Sequence, residues 1–172
     1  GGIIRAESMA EFFDYAKAFL PRRFPRSNKV AIVTNAGGPG IMATDACIRY
    51  GLEMAGISDT CKEEMKKALP STANLDNPID VIGDAAHERY DAALEAVLKE
   101  TDVDGVIVIL TPQAVTEPRE TAEVIVKHTQ KSSKPIFACF MGAVDIAEGD
   151  KILKDHKVPF FHFPEAAVRA YA

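Results

Sequence analysis

The run Val106-Ile107-Val108-Ile109-Leu110 offers no polar residue on either side of a strand. Side chains alternate across a strand, so both faces of this one must be covered. Val30-Ala31-Ile32-Val33 makes the same demand. Strands of this kind belong inside a parallel sheet layered with helices. Further short apolar runs fall at Leu52 to Ala55, Ile79 to Ile82 and Ile136 to Phe140. Helical patterns separate the runs: Ile41 to Tyr50, Lys62 to Leu69, Glu88 to Lys99, Pro118 to Lys131 and Val144 to Asp155. Such alternation with short loops implies right-handed crossovers. The expected fold is a three-layer, flavodoxin-like α/β domain, with five parallel strands in order 2-1-3-4-5 and helices on both faces. Leu52 to Ala55 is the weakest run and belongs near an edge. Phe160 to Phe163 can add a short sixth strand, with a C-terminal helix from Pro164.

Ahead of the first strand, Met9, Phe12, Phe13, Ala16 and Phe19-Leu20 recur at helical spacing. Ser8 suits the N-cap, with Glu11 three residues on. Pro21 ends this helix. The expected division is an N-terminal helix and link over 1–28 and a flavodoxin-like domain over 29–172. The 172 residues suit one domain able to bury its own core. A net charge of −5 with scattered basic residues argues against nucleic acid. No apolar run approaches the ~18 residues of a membrane span. Cys47, Cys61 and Cys139 form no C-x-x-C, so zinc and dithiol chemistry have no support. Buried free thiols fit a reducing, cytoplasmic setting.

Ligands of parallel sheets sit beyond the carboxyl ends of the strands, where the strand order reverses. In the order above that crevice lies between strands one and three. The loop after strand one is Thr34-Asn35-Ala36-Gly37-Gly38-Pro39-Gly40. Its glycines leave backbone N–H groups unshielded and permit positive φ. Pro39 suits a first helical turn. A helix from Ile41 then aims its positive end into the crevice, so an anion, phosphate or carboxylate, is the expected ligand. The plainer alternative is a tight strand-to-helix turn. Asn35, Gly37, Gly38, Gly40, Thr111 and Gln113 are the candidate anion-binding residues. Asn35 could instead close an Asx-turn, and Thr111-Pro112-Gln113 could cap the helix ahead of Pro118. Asp80 reads as a structural hydrogen-bonding group and Asp84 as a helix cap. Gly38-x-Gly40-x-x-Ala43 matches a dinucleotide fingerprint, but no ribose-binding acid follows strand two. His87, His128, His156 and His162 lack a second ligand at metal spacing. His87 lies nearest the crevice. His128 and His156 read as solvated helix residues.

The stretch Val30 to Asp45, VAIVTNAGGPGIMATD, resembles the turn of nucleoside-diphosphate-forming acyl-CoA synthetases, the ADP-forming acetyl-CoA synthetases among them. Ile3-Ile4-Arg5, Asn77-Pro78-Ile79-Asp80-Val81, Val108 to Gln113 and Ala138 to Gly142 extend the match over nearly the whole chain. The match is to the second flavodoxin-like domain of that family, and it is similar to the C-terminal domain of the succinyl-CoA synthetase β subunit. The resemblance implies that acyl-CoA and phosphate yield an acyl phosphate and free CoA. The phosphoryl group then passes through a histidine to a nucleoside diphosphate on an ATP-grasp domain. Two helix N-termini flank that phosphohistidine, and the one opening at Gly37-Gly38-Pro39-Gly40 would be one of them. The histidine lies in a preceding, CoA-binding part whose motif is missing here. The expected partners are therefore a CoA-binding, histidine-bearing domain and an ATP-grasp domain, with a homodimer possible through Phe12 and Phe13. CoA, phosphate, ADP/ATP and Mg serve the whole enzyme, and no cofactor is expected on this domain alone. Two alternatives are a regulatory synthetase-like domain of a protein lysine acetyltransferase and a free-standing flavodoxin-like nucleotide binder.

Overall fold

The computed structural model describes residues 2–142 and 146–172. Val144 and Asp145, expected to open a helix, lie outside them. Helix α1 spans Met9–Ala18, with Ser8 Oγ accepting from Glu11 N–H as its cap. The sheet follows: β1 Lys29–Thr34, β2 Glu53–Met54, β3 Ile79–Asp80, β4 Gly105–Leu110, β5 Ile136–Phe140 and β6 Phe160–Phe161. The crossover helices are α2 Gly37–Arg49, α3 Asp59–Met65, α4 His87–Val97, α5 Pro118–Lys131 and α6 Ala147–Asp155. Helix α7, Pro164–Tyr171, closes the chain as its proline suggests. No helix among the described residues is long and apolar enough to cross a membrane.

All named pairings are parallel, but the order corrects the expected 2-1-3-4-5. The sheet has six strands and runs β2-β1-β4-β5-β6, with β3 beside β1 and off this path. Five consecutive residues, Val30 to Thr34, pair with Gly105 to Ile109. The two doubly buried runs therefore lie side by side and shield each other. The other edge of β1 is shared. Strand β2 takes Lys29 and Val30, and β3 takes Val33 and Thr34. The Ile79 run is too short to separate β1 from β4. Pro78 has no N–H to pair ahead of it, and Ile82 leaves the strand with φ 73°.

Between β2 and β3 the ladder is completed by a side chain. The Asn77 amide donates to Val30 O at 2.9 Å and to Ala55 O at 3.0 Å, and it accepts from Ile32 N–H at 3.0 Å. An amide side chain carries the same donor and acceptor as a peptide unit. Here it stands in for the missing strand.

Alternating β1 residues serve two cores. Ala31 and Val33 join Val106, Val108, Leu94 and Ile125 on the α4–α5 face. Val30 and Ile32 join Ile107, Ile109, Ala43 and Val168 on the α2–α7 face. Helix α1 packs against α7, where Arg169 Nη2 donates to Asp14 at 3.2 Å. The outer side of α1 leaves Phe12 and Phe13 each 56% exposed. All three cysteines are buried and free. Burial pushes the Cys47 and Cys61 thiols up to about 11, so neither is a ready nucleophile at neutral pH. His128, expected on a solvated face, is instead buried, with Nε2 2.6 Å from Asp91.

Replacing Asn77 with Ala strands the Ile32 N–H inside the protein. An unsatisfied buried donor costs about 1–3 kcal/mol. The expected result is a fall of that size in unfolding free energy, read from the urea midpoint at unchanged slope.

Candidate functional site

The strand order reverses between β1 and β4, so the crevice lies at their carboxyl ends and not between strands one and three. Three loops surround it: 35–36 after β1, 81–86 after β3 and 111–117 after β4.

Helix α2 begins at Gly37, four residues earlier than the expected Ile41. The glycines therefore form its first turn, and none of Gly37, Gly38 or Gly40 uses positive φ. The N-cap Ala36 supplies no side-chain cap. Thr34 Oγ1 accepts from Ala36 N–H, and Ala36 O accepts from Gly40 N–H at 3.1 Å. Among the described residues, the Gly37 and Gly38 N–H groups meet no acceptor, and both residues are exposed. Pro39 has no N–H to place. The helix thus presents two unused donors at its positive end.

The glycines play separate parts. A Cβ at Gly38 would meet nothing within 4 Å. At Gly40 it would press on Thr34 Cγ2 at 3.0 Å, so Gly40 lets α2 lie close against β1. At Gly37 it would meet Asp80 Oδ2 at 3.6 Å. The other oxygen of Asp80 accepts from Ile82 N–H at 2.9 Å, in line with its expected structural bond. One carboxylate oxygen is left beside the helix end, where it already offsets part of the dipole.

Asn35 is buried, at 1% exposure. Its amide donates to Thr111 O at 2.9 Å and accepts from Thr111 N–H at 2.8 Å. Asn35 makes no Asx-turn; this pair of bonds ties the loop after β1 to the loop after β4. Thr111 Oγ1 turns towards Met141 Sδ at 3.7 Å. Gln113 N–H donates to Thr116 Oγ1 at 2.9 Å. The Gln113 side chain lies across Gly83, where a Cβ would fall 2.7 Å from Nε2. The structure thus brings all six candidates to one end of the sheet. Only Gly37 and Gly38 offer unused backbone donors. Helix α5 starts from Glu117 with no side-chain cap, so Thr111 and Gln113 do not cap it. Asp84 does not cap α4 either; the N-cap is Ala86, and Asp84 instead meets Arg89 at 2.6 Å.

A second feature was not legible from spacing. His87 Nδ1 lies 2.6 Å from Glu117 Oε2 and 3.5 Å from Glu88 Oε2. The His87, Glu88 and Glu117 atoms lie within 4.8 Å of one another, although Glu117 is thirty residues from His87 in sequence. The 2.6 Å contact is a hydrogen bond, which becomes an ion pair when the imidazole is protonated. It joins the start of α4 to the start of α5. The hydrogen bond to Glu117 raises the His87 pKa above its ordinary value, and the same bond lowers that of Glu117.

The chain is an α/β domain with a parallel sheet, and its helix α2 opens on glycines with two backbone N–H groups that meet no acceptor among the described residues. The chain belongs to the Ligase-CoA domain family, whose model matches residues 30–170. It is 37% identical over 169 residues to acetate–CoA ligase [ADP-forming] I of Archaeoglobus fulgidus, covering 98% of this chain and 24% of that protein. It is 30% identical over 171 residues to the acetate–CoA ligase [ADP-forming] I subunit alpha of Pyrococcus furiosus, covering 98% and 37%. Among solved structures it resembles the dinucleotide forming acetyl-coenzyme A synthetase 1 of Ca. Korarchaeum cryptofilum in complex with phosphate and ADP. The TM-score is 0.91 at 31% identity, over 99% of this chain and 37% of that one. The chain thus spans about a quarter to two-fifths of these relatives.

The ion pair carries a pH signature. A raised His87 value means its stabilisation is complete below the unfolded value and fades as pH climbs through the folded one. A lowered Glu117 value means its share fades only in acid. The pair therefore holds best between the ordinary carboxylate and imidazole values, about 4.3 and 6.5. An NMR titration of the His87 ring should give a midpoint above about 6.5. Glu117→Gln should move that midpoint down.

Proposed function

We propose that this chain is the second flavodoxin-like part of a nucleoside-diphosphate-forming acyl-CoA synthetase. The overall reaction is acyl-CoA, phosphate and ADP giving the free acid, CoA and ATP. The role assigned to this part is to hold the phosphohistidine intermediate with the Gly37 and Gly38 amides. One observation carries the reading: both residues are exposed at the start of a 13-residue helix, and their N–H groups donate to no partner among the described residues. The relatives' names supply the reaction class, and the chain's share of their length implies further domains or subunits.

The chemistry asked of the turn is electrostatic. A phosphorylated imidazole carries a dianionic group that must persist while it travels between sites. Hydrogen bonds to charged groups are worth about 1.5–3 kcal/mol each, and a helix end adds ~0.3–2 kcal/mol. Two such bonds suffice to make a transient phosphoramidate a populated species. Asp80 works against this, and its nearness keeps the intermediate from becoming a trap. Asn35 contributes by fixing the turn against Thr111, and Gln113 by its place over Gly83. The positive end of α2 disfavours a cation, so Mg and the nucleotide are assigned to an ATP-grasp partner. CoA and the histidine belong with a CoA-binding partner. Residues 1–28 read as an arm that brings Phe12 and Phe13 to such a partner. No observation favours the lysine acetyltransferase or flavin-type readings.

The test mixes this chain with the CoA-binding and ATP-grasp parts of the same enzyme and follows acid-labile phosphohistidine. Gly38 is the position to change, because space is open there and charge is added without a clash. Gly38→Asp should cut phosphohistidine by about tenfold or more, equivalent to about 1.4 kcal/mol. Gly38→Asn, similar in size but neutral, should stay near wild type. Normal phosphorylation of Gly38→Asp would overturn the role of the turn.

A further inference from the structure

The structural bond of Asp80 uses only half of its carboxylate. Oδ1 accepts from Ile82 N–H at 2.9 Å, and the backbone N–H and C=O of Asp80 both pair with Asn74. Among the described residues Oδ2 meets no donor and no cation, and it is not one of the polar atoms sealed from solvent. It lies 3.6 Å from where a Cβ on Gly37 would stand.

The ionisable groups around it are engaged elsewhere. On α4, Arg89 donates to Val81 O at 3.1 Å and to Asp84 at 2.6 Å. His87 is held by Glu117. Tyr90, buried on α4, donates to Ile109 O at 3.0 Å. Burial, and after it the charge of Asp80, keeps that hydroxyl protonated. The start of α2 thus sets two unused donors, Gly37 and Gly38 N–H, beside one unused acceptor. A free phosphate ion would take the donors and be repelled by the acceptor. A phosphorylated imidazole suits all three, because its phosphoryl oxygens accept while the N–H on its other ring nitrogen donates.

We propose that Asp80 Oδ2 accepts the ring N–H of the histidine that is phosphorylated, and so selects which of its nitrogens reacts. This inference rests on the phosphohistidine reading above. In the step concerned, the lone pair of the unprotonated ring nitrogen attacks the phosphorus of an acyl phosphate. The P–N bond forms as the P–O bond to the acyl oxygen breaks, and the carboxylate leaves with that electron pair. No proton moves. The N–H stays on the other nitrogen, and the ring gains a positive charge. A carboxylate bonded to that N–H holds the tautomer and stabilises the cation. Asp80 still opposes the phosphoryl charge, but it favours the ring that carries it.

The test measures the rate of phosphohistidine formation against pH, in the full chain mixed with the CoA-binding and ATP-grasp parts of the same enzyme. Asp80→Asn is the variant. Its amide oxygen can still accept from Ile82 N–H, while an NH2 group replaces Oδ2. Loss of a charge-assisted hydrogen bond should lower the plateau rate by about tenfold or more. A carboxylate partner also raises an imidazole pKa, and only the neutral ring attacks. The acid limb of the profile should therefore move to lower pH in Asp80→Asn. A slower rate with an unmoved limb would mark a purely structural role and overturn the proposal. Wild-type kinetics in Asp80→Asn, with Gly38→Asp still impaired, would overturn it and leave the phosphohistidine reading standing. Normal phosphorylation in both variants would overturn both.

Discussion

Strand β1 lies deep in the protein, and every one of its backbone groups needs a partner. Strand β4 satisfies one edge along five residues. The other edge is served in three pieces: β2, the Asn77 amide and β3. The position of everything at the upper end follows from this arrangement. With β3 confined to the last two residues of β1, the β3–α4 loop comes up beside the first turn of α2. Asp80, the last residue of β3, thereby arrives next to Gly37, and Gly83 in the loop arrives beneath Gln113. A full-length third strand inserted between β1 and β4 would have separated Asn35 from Thr111.

The layers were legible because they depend on periodicity. Two runs with no polar face forced a buried parallel sheet, and the helices between them followed from spacing. Strand order was not legible, because it depends on pairing. Nothing local in Ile79 to Ile82 says that its ladder stops after two residues, or that an upstream side chain replaces the remainder. The candidate site was read in the same uneven way. The glycine turn announced itself, since glycine, glycine and proline in a row expose amides whatever surrounds them. The loss of Asn35 to Thr111, 76 residues away, could not be seen. The His87–Glu117 pair likewise joins two helix starts that only the topology makes neighbours.

The charge balance at the helix end is finer than the sequence suggests. In the proposed role two amides draw an anion in, while Asp80 Oδ2 lies 3.6 Å from where a Cβ on Gly37 would stand. A group that passes through phosphorylated and free states gains from such opposition. Strong attraction alone would favour one state, and a neighbouring carboxylate evens the scale. The family assignment over residues 30–170 gives this balance a setting without itself explaining it.

The Asn35–Thr111 clasp has a consequence for speed. A loop that must find its shape around a ligand gives up freedom at the moment of capture. Here the shape exists beforehand, held by two internal bonds, so the entropic toll is settled during folding. In the proposed role, an incoming phosphoryl group therefore meets a surface whose shape those two bonds already hold.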